Sequence, residues 1–331
     1  MRNEFVRGEG VTVRDSIRWP FRRAARGCYG GQKAIFVLAI CVKSSLSWAG
    51  DVPECPAIMR IVSNRDFVLH TDLSNEHADA VLTRMQMTLN RAADYWNRPL
   101  KGRIECFVID QPDKFGEDDF PDREAVYLLR RIGGGTRAVP LRRTGARRIR
   151  ARVYATTHLD VVEHEVIHAY CLQTFGTTGP CWYREGMAQY GSYLHDDKQD
   201  DFPTQMTDYL LSCRILNVAQ IVKENNFTDL LSQSIQTTSR RPAEEGGPTG
   251  IELLGESPEL DAASRGDIQH GYWKAWALCH FLEQHPHYHE RFRMLGDCYL
   301  IHHHDGFERI FGANTDEVTR EFQEFVASLS K

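Results

Sequence analysis

The pentapeptide His164-Glu165-Val166-Ile167-His168 constrains this chain of 331 residues more than any other feature. On an α-helix, histidines four residues apart lie on one face, one turn above the other, so both imidazoles can reach a single metal ion. Glu165 lies about 100° around the helix from His164, because a turn has about 3.6 residues. Its carboxylate is therefore predicted beside the ion rather than on it, where it can accept a proton from water.

The residues around the pentapeptide have helical spacing. Apolar or aromatic side chains recur on one stripe, at Val162, Val166, Ala169 and Tyr170. Thr156 and Thr157 are plausible N-caps, and Gly176 is a natural stop. The pattern predicts a helix over residues 159–175, with both histidines well inside it. The alternative is an ordinary amphipathic helix that carries two exposed histidines.

A glutamate follows in a second motif after a loop rich in glycine and threonine. The segment Trp182 to Ala188 reads WYREGMA, and Gly176 to Pro180 precede it. This order predicts a helix, a short loop and a second helix with Glu185 near its start. The chain can then fold back so that Glu185 meets the two histidines as a third ligand. The small Gly186 and Ala188 would let the two helices approach closely.

The pair of motifs H-E-x-x-H and W-x-x-E-G-x-A resembles the gluzincin zinc peptidases, specifically their aminopeptidase-N-like and "peptidase MA-like" branch. The likeness covers roughly residues 156–190. It implies Zn²⁺ as the cofactor, with His164, His168 and Glu185 as its ligands and Glu165 as the general base. The G-x-M-E-N element that holds a free amino group in aminopeptidases is not found, so the resemblance does not imply exopeptidase activity.

The resemblance also implies an edge strand and an oxyanion donor. In gluzincins the strand before the zinc helix aligns an extended substrate by strand addition, which assigns Arg148 to Ala155 as the edge. Tyr272 is the first candidate for the catalytic donor, because the branch often places a tyrosine on a later helix. His270 and Tyr190 are alternative donors, and an ordinary core position is the alternative for each.

The first 50 residues differ from the rest of the chain. An apolar run of nine, Ala34 to Val42, follows a long basic stretch and precedes Ser47-Trp48-Ala49-Gly50. This order is typical of a signal peptide with an unusually long n-region, cleaved near residue 49 or 50. It predicts an exported protein, with no stable membrane span once the signal is removed. A buried strand of a soluble protein is the alternative.

Charge and cysteine usage agree with export. Residues 1–50 hold nine of the 40 Lys and Arg and three of the 45 Asp and Glu, which leaves 31 basic and 42 acidic residues. A protein this acidic is not expected to bind nucleic acid. Seven cysteines remain after residue 50, so some should pair in an oxidising compartment. Cys171 and Cys181 flank the two predicted ligand helices and are predicted to form a bridge.

The order of elements predicts an α+β fold. Residues 51–155 are predicted as a small mixed α/β part with an edge strand, with strands at 59–62, 67–70 and 103–110, a helix at 75–97 and a hairpin around Thr144-Gly145. Residues 156–331 are predicted as a mainly helical, zincin-like catalytic part, ending in a helix at 315–329. Residues 236–266, rich in Gly, Pro, Ser and Glu, are predicted as a flexible loop.

Two clusters of charged or ligating side chains allow alternatives. Residues 137–152 contain seven arginines and no acid, which we interpret as a solvated hairpin face rather than a basic rim for an anionic substrate.

Histidines recur at 285, 287 and 289 and at 302–304. Only His285 and His289 have helical spacing, and Pro286 disturbs a helix between them. We interpret these as surface histidines rather than a second metal site.

Together these patterns predict an exported, zinc-dependent metallopeptidase that acts on a peptide or protein substrate. A non-catalytic zinc-binding scaffold of the cell envelope is the alternative from another class. A zinc amidase that acts on cell-wall peptides is a third hypothesis, because the motifs do not distinguish the two kinds of amide substrate.

Overall fold

The computed structural model describes residues 58–141, 148–193, 204–213, 216–223, 262–303 and 306–329. The predicted signal peptide at 1–50 lies outside these ranges, as do the Thr144-Gly145 turn and most of the predicted loop at 236–266. None of the helices in these ranges combines the length and the apolar character that crossing a bilayer requires.

Five strands form one mixed sheet in the amino-terminal part. The strands are β1 Arg60–Ser63, β2 Phe67–Thr71, β3 Ile104–Ile109, β4 Gly134–Leu141 and β5 Arg148–Thr156. Their spatial order is β1-β2-β3-β5-β4. The three central strands β2, β3 and β5 run parallel, and β1 and β4 pair antiparallel at the two ends. The hairpin predicted before the histidine motif is therefore the β4–β5 pair.

Most of the described remainder is helical. The helices are α1 Asn75–Tyr95, α2 Ala125–Tyr127, α3 Leu159–Phe175, α4 Cys181–Tyr193, α5 Thr204–Ser212, α6 Val218–Lys223, α7 Ala262–Gln284, α8 His289–Leu300, α9 Phe307–Phe311 and α10 Asp316–Ser328. A π-helical turn, Leu128–Ile132, connects α2 to β4. This arrangement confirms the predicted α+β fold with a mainly helical carboxy-terminal part.

The sheet buries one face against helices. Alternate residues on the central strands are fully buried there: Phe67, Leu69, Cys106, Val108 and Val153. Their period of two follows from the pleat, which turns successive side chains to opposite faces. Helix α3 packs on β5 and β4, and α1 packs on α3. The histidine-bearing helix is thus buried between the sheet and the other helices.

The edge strand predicted from the resemblance is wrong. Strand β5, at Arg148–Thr156, pairs with β3 on one side and with β4 on the other, so it is internal. The sheet has its edges at β1 and β4, and the edge strand next to β5 is β4, which contains Pro140. A proline lacks the N–H that a central strand must donate, and this residue was the available signal for an edge. Adjacent residues Val153 and Tyr154 are both buried, as an internal strand with two covered faces requires.

The N-cap of α3 and the start of α7 differ from the predictions. Helix α3 has the predicted bounds and ends at Gly176 in the left-handed conformation, at φ 85°. Its N-cap is His158 rather than Thr156 or Thr157, and the imidazole makes no capping hydrogen bond. Helix α7 begins at Ala262, so the last five residues of the predicted loop are helical.

The basic run is only partly solvated. Arg152 is largely buried on the outer face of the sheet, where its Nε donates to Glu105 over 2.8 Å and its Nη1 to Asp122 over 2.9 Å. The hydrogen bonds from the His70 ring and from Arg152 outweigh burial and lower the pKa of Glu105 to about 2. Arg152 therefore belongs to a structural ion-pair network, contrary to the interpretation of a solvated face. Residues 142–147 of the run lie outside the described ranges.

Candidate metal centre

Helix α3 presents two histidines to one point. His164 and His168 lie one turn apart, and their Nε2 atoms are 3.1 Å from each other. Their side chains are 12% and 9% exposed, so water has little access to either ring. The spacing follows from the helix alone, because residues four apart share a face.

Helix α4 brings Glu185 to the same point. The Oε2 atom of Glu185 lies 3.2 Å from the Nε2 of His164 and 3.2 Å from that of His168. The three atoms form a nearly equilateral triangle. A tetrahedral zinc site with bonds of about 2.0–2.2 Å separates its ligand atoms by roughly 3.3–3.5 Å. The observed triangle is slightly tighter than that, and all three residues are buried.

The chemistry of this donor set fits a cation. The Nδ1 of His164 lies 3.2 Å from the Oε1 of Gln189, an oxygen that only accepts hydrogen bonds. In the neutral ring the proton therefore lies on Nδ1, and the lone pair of Nε2 faces Glu185 and His168. With both rings neutral, at most one proton, on Nε2 of His168, lies among the Nε2 atoms of the two histidines and Oε2 of Glu185. One proton cannot bridge all three atoms. His164, His168 and Glu185 could therefore hold a metal ion.

The electrostatics keep Glu185 ready as a ligand. Burial alone would raise the pKa of Glu185, but the charge of His168 and the hydrogen bonds of both histidines lower it well below its ordinary value. Burial alone would lower the pKa of His164, but the hydrogen bond to Glu185 and the charges of Glu165 and Glu185 raise it. Glu185 thus stays ionised, while protons compete with a metal ion for the histidine.

Two further residues on α4 orient the ligands, and sequence reasoning missed both. Gln189 lies one turn after Glu185 and fixes the ring of His164 through the contact at Nδ1. Arg184 donates from Nε to the Oε1 of Glu185 over 2.6 Å, which leaves Oε2 for the histidines. The spacing of four residues from Glu185 to Gln189 was the signal that could have identified the first of them.

Helix α4 is held in place by an aromatic anchor and a close approach. Trp182 is fully buried against Phe292, Tyr299 and Phe307. A Cβ on Gly186 would lie 2.5 Å from the carbonyl oxygen of Ala275 and 2.5 Å from the Sγ of Cys279. Both contacts are on α7, whereas the sequence predicted that this glycine would allow the two ligand helices to approach. The glycine that faces α3 is Gly191, against Ile167.

Glu165 lies beside the triangle and is not one of its corners. Its side chain is turned towards β4, where the hydroxyl of Thr136 lies 2.7 Å from Oε2 and 3.0 Å from the backbone oxygen of Glu165. Gly134 also packs closely against α3, since a Cβ there would lie 2.5 Å from Val161. The edge strand therefore passes next to the predicted base. No local pattern identifies Thr136, because the contact spans 29 residues of sequence.

Of the three candidate donors, only Tyr272 is placed at this centre. Its ring centroid lies 5.9 Å from that of His164. Burial raises the pKa of Tyr272 well above its ordinary value, and the charges of Glu185 and Glu165 raise it further, so the hydroxyl keeps its proton. His270 instead stacks on Tyr209 with ring centroids 3.8 Å apart. Tyr190 accepts a hydrogen bond from Gln284 over 2.9 Å.

The predicted Cys171–Cys181 bridge is wrong. Both residues are buried thiols that form no disulfide, and the same holds for Cys106, Cys279 and Cys298. The Sγ of Cys181 instead lies 3.9 Å from Nη2 of Arg184. Burial raises the pKa of the Cys171 thiol, so it is not a reactive thiolate at neutral pH.

No protein-family model matches the chain, and no curated protein is significantly similar to it. The family is therefore not shown by comparison, and the likeness to gluzincins stays a hypothesis that rests on two short motifs. The geometry of His164, His168 and Glu185 is an independent observation, since it concerns where the side chains lie rather than their order in the sequence.

Proposed function

We propose that this protein is a zinc-dependent metallopeptidase of the gluzincin type. The observation that carries the proposal is the buried triangle of His164, His168 and Glu185, with the carboxylate of Glu165 close enough for its charge to act on His164. Two imidazoles and one carboxylate are a typical ligand set of catalytic zinc, which keeps a further position open. A purely structural zinc site is usually closed by four protein ligands, so the donor set favours catalysis over a scaffold.

Each residue around the centre has a role in this proposal. When bound, zinc supplies a Lewis acid that polarises a carbonyl and makes water easier to deprotonate near neutral pH. Glu165 accepts the proton of the attacking water and returns it to the leaving amine. Thr136 occupies one oxygen of Glu165 and so directs the other towards the water. Tyr272, which keeps its proton, donates a hydrogen bond to the carbonyl oxygen as negative charge develops there.

A peptide substrate is favoured by the position of β4. Gly134–Leu141 is an edge strand, and no described strand pairs with its outer side. It passes Glu165 at Thr136, so a peptide added to the sheet there would run past the proposed base. Strand addition uses backbone hydrogen bonds and suits an extended peptide chain rather than a compact substrate.

We also propose that the protein is exported, because the apolar run from Ala34 to Val42 is typical of a signal peptide. Amino-terminal sequencing of the protein from its native host should then begin near Asp51. An intact amino terminus in cytoplasmic protein would contradict export, although it would leave the catalytic proposal standing.

The decisive experiment separates base from ligand. Purified full chain, Glu165→Gln, Glu185→Ala and His164→Ala are dialysed alike against low zinc, and zinc is measured by elemental analysis. Hydrolysis is followed on a mixed peptide library and on cell-wall peptides. Glu165→Gln should keep its zinc and lose activity by at least about 10²-fold, the lower end of general-base contributions. Exposed Glu76 on α1, changed to Gln, is the matched control and should lose neither.

The other outcomes identify the alternatives. If Glu185→Ala holds as much zinc per chain as the Glu76→Gln control while His164→Ala holds one ion less, the third ligand is another residue and the proposal is wrong. A wild type that binds zinc but cleaves nothing supports the alternative hypothesis of a non-catalytic zinc-binding scaffold. Cleavage of cell-wall peptides alone supports the amidase.

A further inference from the structure

A second His–His–Glu group lies on other elements of the helical part. It consists of His285, His287 and Glu321, whose ligand atoms lie within 4.8 Å of one another. His285 follows the last residue of α7, His287 lies in the turn before α8, and Glu321 lies on α10. None of these residues belongs to the first centre, so a ligand bound by them would have a role beyond the proposed function.

A proline turn brings the two histidines together. Pro286 cannot continue α7, because it has no N–H and disfavours helical geometry at the residue before it. The rings of His285 and His287 consequently meet edge to face, with centroids 5.3 Å apart. His289, which has the helical spacing from His285, instead turns its Nδ1 to the carbonyl oxygen of Glu283 over 2.7 Å.

The interpretation of surface histidines is wrong for His285. Its side chain is only 11% exposed and that of Glu321 is 19% exposed. His287 is exposed, which gives an ion in solution a route to the group. His285 also stacks on Tyr288 with ring centroids 4.6 Å apart, which holds its ring in one orientation.

The carboxylate of Glu321 independently indicates a bound cation. Its Oε2 is buried and has no hydrogen-bond partner among the described residues, while Oε1 accepts from Arg320 over 3.2 Å. Oε2 lies 3.5 Å from Nε2 of His285, which is beyond the usual 2.7–3.2 Å of an N–H···O bond. It is close to the roughly 3.3–3.5 Å between two ligands of a tetrahedral metal ion. A cation there would satisfy an oxygen that is otherwise costly to bury.

We propose that His285, His287 and Glu321 form a second site, which binds a divalent transition-metal ion of the zinc class. Two imidazoles and a carboxylate suit such ions better than magnesium or calcium, which prefer oxygen ligands alone. The site links the turn after α7 to α10, the last described helix, and so tethers that helix to the rest of the helical part. Its role is structural.

Binding changes one local contact. The backbone N–H of His287 points to Nδ1 of His285 over 3.3 Å. An ion on Nε2 moves the ring proton to Nδ1, so this contact is lost. Because it is longer than an ordinary hydrogen bond, its loss opposes binding only weakly.

The test uses the full chain with the first centre disabled by His164→Ala and Glu185→Ala together. Zn²⁺ and Co²⁺ are titrated by calorimetry, and the absorption of bound Co²⁺ reports tetrahedral nitrogen and oxygen ligands. We expect one ion per chain and a higher Tm when zinc is present. Adding Glu321→Gln should weaken binding by at least about 10-fold, since even changes outside the ligand shell cost 10–100-fold, and should remove the zinc-dependent rise in Tm.

Two further variants make the result specific. His287→Ala removes an exposed ligand, so it should weaken binding of the ion without unfolding the chain. This variant keeps the test possible even if Glu321→Gln does not fold. His77→Ala removes an exposed histidine of α1 and should change nothing. No bound ion in the disabled background would overturn the proposal, and so would binding that neither Glu321→Gln nor His287→Ala weakens.

Discussion

The first His–His–Glu group stands on two long helices, whereas the second stands on a proline turn and one helix. In the first, ligand atoms are 3.1–3.2 Å apart and all three side chains are buried. In the second, the ligand atoms of His285 and Glu321 are 3.5 Å apart and the other histidine is exposed. The donor types are the same, so the two groups differ in the helices and turns that carry their ligands.

That difference indicates different tasks. The first group has residues that orient its ligands, Gln189 and Arg184, and a carboxylate beside it that is not a ligand. The second rests on a short-range support, the stacked Tyr288 ring, next to a turn at the protein surface. Catalysis needs ligands held within a fraction of an ångström and a separate proton acceptor, while a tether needs only a bound ion.

The largest expected effect separates the two glutamates. Glu185→Ala should lower peptide hydrolysis by at least about 10²-fold, because it removes the ion that supplies several kcal/mol of transition-state stabilisation. Glu321→Ala should leave hydrolysis within about twofold and lower the Tm only. Initial rates and thermal melts on both variants, at equal zinc, check this. Equal loss of activity would mean that both groups take part in one reaction.

The second expected effect concerns the support of His164. Gln189→Leu removes the acceptor at Nδ1 and should weaken zinc binding by about 10–100-fold, the usual cost of such a change. Gln189→Glu keeps an acceptor oxygen and should restore most of the affinity. Competition with a chelator of known affinity measures both variants. A Leu variant with full affinity would show that the helix alone orients the ring.

A third prediction tests whether the first group depends on close helix packing. Gly186→Ala places a methyl group 2.5 Å from Ala275 and Cys279 on α7, so it should destabilise the protein by about 1–3 kcal/mol. Gly116→Ala is the matched control, since the added carbon meets nothing closer than 3.8 Å. Denaturant unfolding measures both. The second group should bind its ion equally well in either variant.

The smallest effect is expected at the base. Thr136→Val keeps the shape but removes the hydroxyl next to Glu165, and hydrogen bonds to charged groups contribute about 1.5–3 kcal/mol. We expect kcat to fall by about 10-fold, the lower end of that range, at unchanged zinc content. Thr156→Val is the control, because the Thr156 hydroxyl is buried and has no hydrogen-bond partner in the described chain. A fall in zinc content instead would mean that Thr136 supports the ligands.

Sequence reasoning worked where an interaction is local. The bounds of α3, its end at Gly176 and the meeting of His164 with His168 all follow from a helical period within 18 residues or so. The close placement of Glu185 needed one further assumption, that a short loop returns the chain. Tyr272 was placed at the centre only through the resemblance, since nothing in the residues around it distinguishes it from a core tyrosine.

The remaining features depend on contacts between distant segments. β5 is internal because β3 pairs with it, and the edge is β4, whose Thr136 meets Glu165 from 29 residues away. Gly186 meets α7 rather than α3, and Cys171 and Cys181 form no bridge. His285 meets Glu321 because a proline turn and α10 pack together.

The sequence by itself therefore determined the helix that carries the first two ligands, the order of the motifs and the α+β class, since spacing and hydrophobic period are properties of neighbouring residues. Only the tertiary structure decided which strand is the edge, which residues support the ligands and where a second donor set forms. These depend on the packing of elements far apart in the chain, and a side chain that is unremarkable in its own segment can become a ligand once another segment lies against it.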